Sequence, residues 1–476
     1  MRRILSAILL SVPLLLSGQQ NQQLFQMHYL GESNFLNPAV QSECKWFIGI
    51  PVLSSVHLNY ANSGFSYKQL VKNISDSAYS LNIDKVANRL GWRTLVGTEL
   101  HTTLLAIGYK RNDYYYAFSI IEKNNLPFTF SKDLFSLVWE GNSSFEGRSA
   151  NFRGTSAYAM HYREYALGVS KQNQNGNYLG IKGKLLFGKL NLATPKSDVS
   201  LYTDENTFDL TLEGEMLINM SGPVVIEHSD DQIANYSYDE SISIMELIFN
   251  RKNWGLAFDA GFIHRYNENI TLSGSIIDLG FIRWRSNLNN ISFDEYYTYR
   301  GILTDSGNVV ESIIDSVYFT FTNRPYTTFL PPKMYLGTEY HVNEKLKARA
   351  LISATAYRTK FCPALTIAAD YNPFGYTHII GSYSVMYRSL KNLGLGFSVG
   401  REPLQFYMIS DNVLGLIWPL STRNINLRFG LNINLGCKSK EDRPKGISSF
   451  QGYCPVYEKD KERKKRKSGW RKKTKR

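Results

Sequence analysis

Apolar and polar residues alternate with a period of two over long stretches of this chain. In "NINLRFGLNINLG", residues 424–436, every second residue from Ile425 to Leu435 is apolar. The residues between them are Asn, Arg or Gly. Because successive side chains of a β-strand point to opposite faces, the pattern predicts a long strand with one apolar and one polar face.

The same alternation recurs in residues 207–220, 345–357, 377–389 and 393–400. These segments are longer than the roughly 5 to 6 residues typical of strands in soluble sheets. A tilted membrane-spanning strand needs roughly 9 to 11 residues. A soluble β-sandwich would also alternate, with its polar face toward water. Strand length therefore favours an all-β fold, an antiparallel transmembrane β-barrel of about 14 strands.

Composition and connections support the barrel. The chain has 31 Tyr, 26 Phe and 7 Trp, and membrane barrels carry aromatic girdles at both interfaces. Tight turns are predicted at residues 267–269, 343–344, 372–375 and 390–392. Other connections are predicted to be long and polar, at 124–155, 221–250 and 287–331. No stretch of the sequence is apolar enough and long enough for a transmembrane helix.

A short helical insert is predicted after the first strand, because the period changes there. Its apolar residues recur at helical spacing and are Leu70, Val71, Ile74, Ile83, Val86 and Leu90. The insert is either a plug in the barrel or a structured loop. We expect the loop, because nothing in the insert indicates entry into the lumen.

The first 18 residues have the features of a secretory signal peptide. Arg2 and Arg3 precede an apolar run that ends at Leu16, and Ser17 and Gly18 follow it. The predicted division is a signal peptide at 1–18, an outer-membrane barrel domain at 19–436 and a basic tail at 437–476. With an even number of strands, both termini are expected in the periplasm.

Charge is concentrated in the C-terminal tail. Residues 459–476 hold 12 Lys or Arg against Asp460 and Glu462, which is +10 of the net charge of +13. Such a tail could bind nucleic acid, but export excludes that partner. We expect a disordered tail that docks an anionic surface or a protein partner, besides the lipid around the barrel. The docking residues would be Lys464, Lys465, Arg466, Lys467, Trp470, Arg471, Lys472 and Lys473.

No catalytic or cofactor motif is recognisable. No two of the eight histidines have the i, i+4 spacing of a helical metal site, and neither a nucleophile elbow nor a phosphate loop occurs. The sequence thus predicts no enzyme, no metal and no small-molecule cofactor. Of the four cysteines, Cys437 and Cys454 flank the first part of the tail and are expected to form a disulfide, against free or otherwise paired thiols.

Charged residues on the polar faces of the strands are candidates for the lumen. They are Asp209, Glu213, Glu215, Lys345, Lys347, Arg349 and Arg428. They could form an ion-selective path or internal ion pairs that fill a closed barrel. The second arrangement is expected, because about 14 strands give a lumen narrower than that of an open porin.

Three stretches carry a resemblance to a known family. "FLNPAV" at 35–40, residues 47–71, and "SDNVLGLIWPLSTRNINLRFGLNINLG" at 410–436 resemble the opening and closing motifs of uncharacterised outer-membrane barrels of the Bacteroidota. More distantly, these are similar to the long-chain fatty-acid transporter class and to barrels that accompany type IX secretion. The resemblance implies a barrel and a compartment, but no reaction.

Two functions are therefore open. One is a non-catalytic accessory or scaffold subunit of an envelope complex for secretion or outer-membrane assembly, with the tail docking its partners. The alternative is an outer-membrane transporter for hydrophobic or small polar solutes. Because transport does not need a tail beyond the last strand, the sequence favours the first.

Overall fold

Most of the chain is β-strand in the computed structural model, which describes residues 21–437 apart from 76–77, 174, 230–231, 301–317, 358–359, 387–388 and 401. Strands β1 to β12 are Cys44–Gly49, Val56–Asn62, Val71–Ser75, Ala78–Leu81, Arg93–Arg111, Tyr114–Ser131, Ser149–Asn151, Ser156–Gln172, Tyr178–Thr203, Leu210–Ser221, Val224–Ser229 and Gln232–Tyr238. Strands β13 to β24 are Trp254–Arg265, Ile270–Trp284, Leu288–Tyr299, Thr320–Thr322, Tyr326–Phe329, Lys333–His341, Leu346–Tyr357, Lys360–Tyr371, Thr377–Met386, Ser389–Val399, Leu404–Ser410 and Asn424–Cys437.

The helices are short. Helices α1 to α6 are Gln22–Gln26, Tyr67–Leu70, Ile83–Ala87, Lys132–Glu140, Ile244–Ile248 and Val413–Ile417, with 3-10 turns at Gly31–Phe35, Ser143–Phe145 and Pro419–Ser421. Among the described residues, no helix has the length and apolar character needed to span a membrane.

The strands close into a barrel. Each wall strand pairs antiparallel with its neighbours, and β24 pairs with both β1 and β2, which pair on their other side with β5. β1 and β2 share one position of the wall, and so do β17 and β18, which gives a closed antiparallel barrel of 14 strands. The predicted fold class is confirmed. A disulfide joins β1 to β24 at one end, called the disulfide end below. The opposite end is called the loop end.

The alternating pattern places polar residues inside and apolar residues outside. Along β24, Asn426 and Arg428 are buried inside the barrel, whereas Leu435 on the other face is exposed. On other strands, Leu167 is 67% and Ile352 58% exposed on the outer surface. Apolar side chains facing outward over the whole wall are stable in lipid and unfavourable in water, so the barrel spans a membrane.

One side of the wall rises beyond the rest. β9 is 26 residues long. Its first half pairs with β13, and its second half pairs with β10, which continues through β15 to β16. This raised sheet lies above the rim at the loop end. The segment 207–220 is thus not part of the barrel around the lumen, although its alternation resembles that of a wall strand.

The helical insert after the first wall strand is a structured loop. It consists of α2, the hairpin β3–β4 and α3. Val86 and Leu90 pack against Phe135 of α4. Because α4 belongs to the loop after β6, the insert covers the loop end.

The tight turns lie mostly where the sequence predicts them. Connections at 266–269, 342–345 and 372–376 join neighbouring wall strands at the disulfide end. The turn predicted at 390–392 is wrong, because these residues belong to β22. Asn392 is buried there, and its amide donates to the carbonyl oxygen of Ser384 at 3.0 Å. An Asn is a turn signal on the surface, but here it faces the lumen.

Candidate functional site

Residues 21–43, called the plug below, lie inside the barrel. All residues of α1 are buried, and the 3-10 turn Gly31–Phe35 is almost fully buried. The apolar cluster that the plug forms with the inner wall contains Leu24, Phe25, Met27, Leu30, Leu36, Ile277, Tyr335, Leu351, Ile380, Tyr407 and Ile409. A fully buried Leu, Phe or Met side chain stabilises by about 1.5–3 kcal/mol, so this cluster holds the plug in the lumen.

An aspartate at the loop end anchors the first turn of α1. Asp411 Oδ2 accepts the backbone N–H of Asn21 at 2.8 Å and of Gln22 at 3.1 Å, and Oδ1 accepts that of Gln23 at 2.9 Å. The first N–H groups of a helix have no partner within it, and a carboxylate satisfies them well. Arg428 donates to Asn21 Oδ1 at 2.8 Å and to Ser55 Oγ at 2.6 Å.

An arginine anchors the other end of α1. The Arg349 guanidinium donates to the backbone oxygen of Gln26 and lies 2.8 Å from carboxylate oxygens of both Glu339 and Asp370. The last carbonyl groups of a helix favour a cation. The two acids compensate the charge of Arg349, so both ends of α1 are bound to charged residues of the wall.

The wall has glycines where the plug touches it. A Cβ at Gly180 would lie 2.2 Å from the backbone oxygen of Pro38, and one at Gly394 would lie 2.2 Å from Nε2 of Gln23. Real Cβ atoms do not come this close. The small residues on the polar faces of the strands thus make room for the plug.

Glu32 and His28 are among the titratable side chains of the plug. Burial raises the pKa of Glu32 to about 7, and burial lowers the pKa of His28 to about 4. Glu32 Oε1 accepts a long hydrogen bond of 3.5 Å from Ser54 Oγ. Both shifts favour the neutral side chain, as expected for groups removed from water.

A layer of charged residues crosses the lumen beside the plug. Lys184 Nζ lies 2.6 Å from Asp278 and 2.8 Å from Asp259. Lys123 Nζ lies 2.7 Å from Glu164 and 3.6 Å from Asp278. Buried charges are tolerated only when paired in this way, so this layer is an internal ion-pair network.

A cavity of about 410 Å³ lies on the loop-end side of this layer. Its apolar wall includes Leu95, Pro127, Met160, Ala193, Leu330, Pro331 and Pro332. Its floor includes Glu99, His101, Lys123, Asp278 and Lys333. Pockets of this size, apolar with a few polar groups, are typical of small-molecule sites.

Three of the predicted lumen charges lie inside the barrel. Arg349 and Arg428 hold the plug, and Lys347 forms a 3.0 Å ion pair with Glu339 near the disulfide end. They are internal pairs or anchors, as expected of a filled lumen.

The other four predicted lumen charges lie outside it. Asp209, Glu213 and Glu215 belong to the raised sheet or the turn before it, where Glu215 pairs with the exposed Lys196. The apolar face of β10 is covered by loops, so its carboxylates point away to the surface. Lys345 is exposed in the turn before β19.

The disulfide differs from the predicted one. Cys437 is bonded to Cys44 and not to Cys454. β1 and β24 are neighbours in the closed wall, and their register places Cys44 directly opposite Cys437. Sequence proximity favours Cys454, but barrel closure brings together cysteines 393 residues apart.

Some predicted features lie outside the described residues. These are the signal peptide, Cys454 and the docking residues Lys464, Lys465, Arg466, Lys467, Trp470, Arg471, Lys472 and Lys473.

The plug is the main structural element that the sequence pattern does not predict. Its polar stretch "NQQLFQ" resembles a linker, and it has neither strand nor helix periodicity. The available signal is the run of inward-facing Gly and small polar residues on the strands, which leaves space in a barrel of this width.

Comparison with known proteins gives one family match. The model of a family described as "family of unknown function (DUF5723)" matches residues 38–411. No curated protein matches the chain in sequence.

Solved structures resemble the barrel at low similarity. A deltaS2 mutant of the TodX monoaromatic hydrocarbon channel is 10% identical, with a TM-score of 0.42 over 86% of this chain and 95% of that one. The toluene transporter TodX of Pseudomonas putida is 9% identical, with a TM-score of 0.36 over 84% and 91%. A FadL homologue of Pseudomonas aeruginosa is 12% identical, with a TM-score of 0.36 over 85% and 94%. At these TM-scores the resemblance assigns no function.

Proposed function

The chain belongs to the DUF5723 family of unknown function, and we propose that it is a non-catalytic transport channel of a bacterial outer membrane for small solutes with an apolar body. The observation that carries this proposal is the cavity inside the barrel, between the loop end and the plug. A scaffold needs only an outer surface, whereas an internal cavity of this size suits the binding of a solute.

The chemistry of the cavity indicates the class of solute. Its volume of about 410 Å³ accommodates one small molecule. Met160 and Leu330 offer apolar contact, and Lys123 and Lys333 lie at the floor. Water leaves the apolar wall when a solute with an apolar body enters, which supplies the binding free energy.

Passage beyond the cavity requires the plug to move. The charged layer and the plug fill the lumen between the cavity and the disulfide end. Hydrogen bonds with Asp411 and Arg349 hold the two ends of α1, and the apolar cluster holds its side chains, so movement of the plug requires both sets of contacts to break. We therefore propose a gated channel and not an open pore.

Filling the cavity tests the proposal. Met160→Trp places a larger side chain in the cavity, and Leu167→Trp on the same strand β8 is a matched control on the outer surface. Small aromatic and aliphatic solutes are titrated against the purified protein, and bound solute is counted by native mass spectrometry. We expect one solute per chain in the parent and in Leu167→Trp, and at least about tenfold weaker binding in Met160→Trp. Equal binding by both variants, or none by the parent protein, would overturn the proposal.

The accessory role in an envelope complex remains a prediction. It depends on the basic tail, whose disorder and docking residues are expected from the sequence. The periplasmic position of both termini, an origin in the Bacteroidota and a link to type IX secretion also remain predictions. Deletion of residues 438–476, followed by isolation in mild detergent, tests whether partners depend on the tail.

A further inference from the structure

Two histidines and a glutamate meet on the inner face of the barrel where β2 pairs with β5. In the strand register, His57 lies directly opposite His101, and Glu99 is the next inward-facing residue along β5. One ligand atom from each of the three lies within 4.8 Å of the others. Opposite and diagonal neighbours on one face of an antiparallel pair are close enough for such side chains to meet.

The ring of His57 is buried without a well-formed hydrogen bond to the described residues. It is 2% exposed, neither Nδ1 nor Nε2 has a partner at good hydrogen-bond geometry, and the backbone of Leu427 is the group that the ring approaches. Nε2 lies 3.9 Å from Glu99 Oε2, which is beyond hydrogen-bond distance. Burial of an imidazole without well-formed hydrogen bonds is unfavourable, so a metal ion that accepts its lone pair would relieve this cost.

The tautomer of His101 is fixed by a neighbour. Nε2 of His101 lies 2.8 Å from Oδ1 of Asn125. Because an amide oxygen can only accept, Nε2 carries the proton, and Nδ1 of the neutral ring keeps its lone pair. Metal-binding histidines commonly have their second nitrogen held by such an acceptor.

We propose that His57, Glu99 and His101 bind one divalent transition-metal ion of the zinc class. Two imidazole nitrogens and one carboxylate form the protein ligand set of zinc sites that keep a fourth position open. Metal–ligand bonds of roughly 2.0–2.2 Å require the three side chains to approach by small rotations. Since Glu99 and His101 also line the cavity, the open position faces it.

Cations lie near this site. Lys123 is paired with Glu164 at 2.7 Å, whereas Arg428 donates to the neutral groups Asn21 and Ser55 and keeps its charge, which weakens cation binding. Lys333 lines the cavity and attracts Glu99, so it competes with a metal ion for that carboxylate. Both imidazoles bind a metal ion as neutral ligands. The carboxylate of Glu99 is therefore the charged ligand of the three. This proposal does not depend on solute transport.

Metal titration of the purified full chain in detergent tests the site. The protein is stripped with a chelator and titrated with Co²⁺, followed by visible absorption, and with Zn²⁺, followed by calorimetry. We expect one equivalent of each ion to bind. His57→Ala and Glu99→Gln should each weaken binding at least about tenfold, and Asn125→Ala by about tenfold through loss of the second-nitrogen contact.

A matched control uses another histidine of the wall. His264→Ala removes an exposed ring that contacts Asn177 and should leave binding unchanged. Heat-modifiable gel migration verifies that each variant is folded. If His57→Ala does not fold, Glu99→Gln still tests the site, because Gln has nearly the same shape as Glu. All titrations are repeated with Cys454→Ser, so that a thiolate is not the ligand. Absence of saturable binding, equal loss in the control, or loss with Cys454→Ser would overturn the proposal.

Discussion

Gly180 is one of the wall glycines at which the plug comes close to the wall. On the same strand, Gly183 faces outward, and a Cβ there would have no other atom within 4 Å, whereas a Cβ at Gly180 would clash with Pro38. Two glycines three residues apart on β9 thus have different roles. Alternation along a strand predicts that they face opposite ways, but the sequence does not show that a chain segment occupies the inner side.

Gly180→Val is therefore expected to displace the plug, with Gly183→Val as the control. A side chain at Gly180 overlaps the Pro38 carbonyl, and overpacking of this kind costs about 1–3 kcal/mol. Hydrogen exchange of residues 21–43, measured by mass spectrometry, should increase about 5- to 150-fold in Gly180→Val only. Unchanged exchange in Gly180→Val would show that the plug does not contact the wall there.

Docking of the plug is expected to depend on pH through Glu32. Its folded pKa of about 7 exceeds the usual 4.5, so its contribution is fully present below pH 4.5 and is lost as pH rises through 7. His28 acts oppositely, because its folded pKa of about 4 lies below 6.5, and its contribution is lost as pH falls toward 4. The comparison of Glu32→Gln with the parent protein isolates the first effect.

At pH 8, the plug of Glu32→Gln should exchange more slowly than the plug of the parent protein. The difference in the free energy of plug opening between the two proteins should be up to about 3 kcal/mol larger at pH 8 than at pH 4.5. The readout is hydrogen exchange of residues 21–43, corrected for the intrinsic pH dependence. Identical exchange of the two proteins at both pH values would contradict a Glu32 carboxyl group whose pKa is raised by burial.

Strands are the elements most accessible from the sequence. The period of two in residues 424–436 and 345–357 predicts β24 and β19 together with the faces that point inward, and it therefore places Arg349 and Arg428 in the lumen. The raised sheet is not predictable in this way. β10 alternates just as a wall strand does, and only its pairing with the second half of β9 reveals that it lies above the lumen.

The closing pair of strands carries a testable covalent link. Replacing Cys44 and Cys437 together by Ser should lower stability by about 2–5 kcal/mol, because the bond closes a chain loop of 393 residues. The temperature at which the folded, fast-migrating gel band disappears should fall in this variant. Cys454→Ser should leave that temperature unchanged.

Peptide mapping identifies the same bond directly. Proteolysis without reduction should yield a linked pair of peptides containing Cys44 and Cys437. A linked pair containing Cys437 and Cys454 would contradict the bond between Cys44 and Cys437.

At the scale of the whole molecule, the barrel and the plug belong to one chain but differ in sequence pattern. The barrel follows alternation, because one face meets lipid and the other the lumen. The plug has no pattern of its own, since its backbone groups are satisfied by wall residues such as Asp411 and Arg349. The periodicity of the sequence therefore predicts the barrel but not the plug inside it.

The central claim is that residues 21–43 close a barrel that otherwise has a path through it. The direct measurement is single-channel conductance in planar bilayers of the full chain and of a variant lacking residues 21–43, with Gly183→Val as a folded control. We predict little conductance for the full chain and the control, and a stable open channel for the deletion. A deletion variant that is folded by heat-modifiable migration and conducts no more than the full chain would contradict the account.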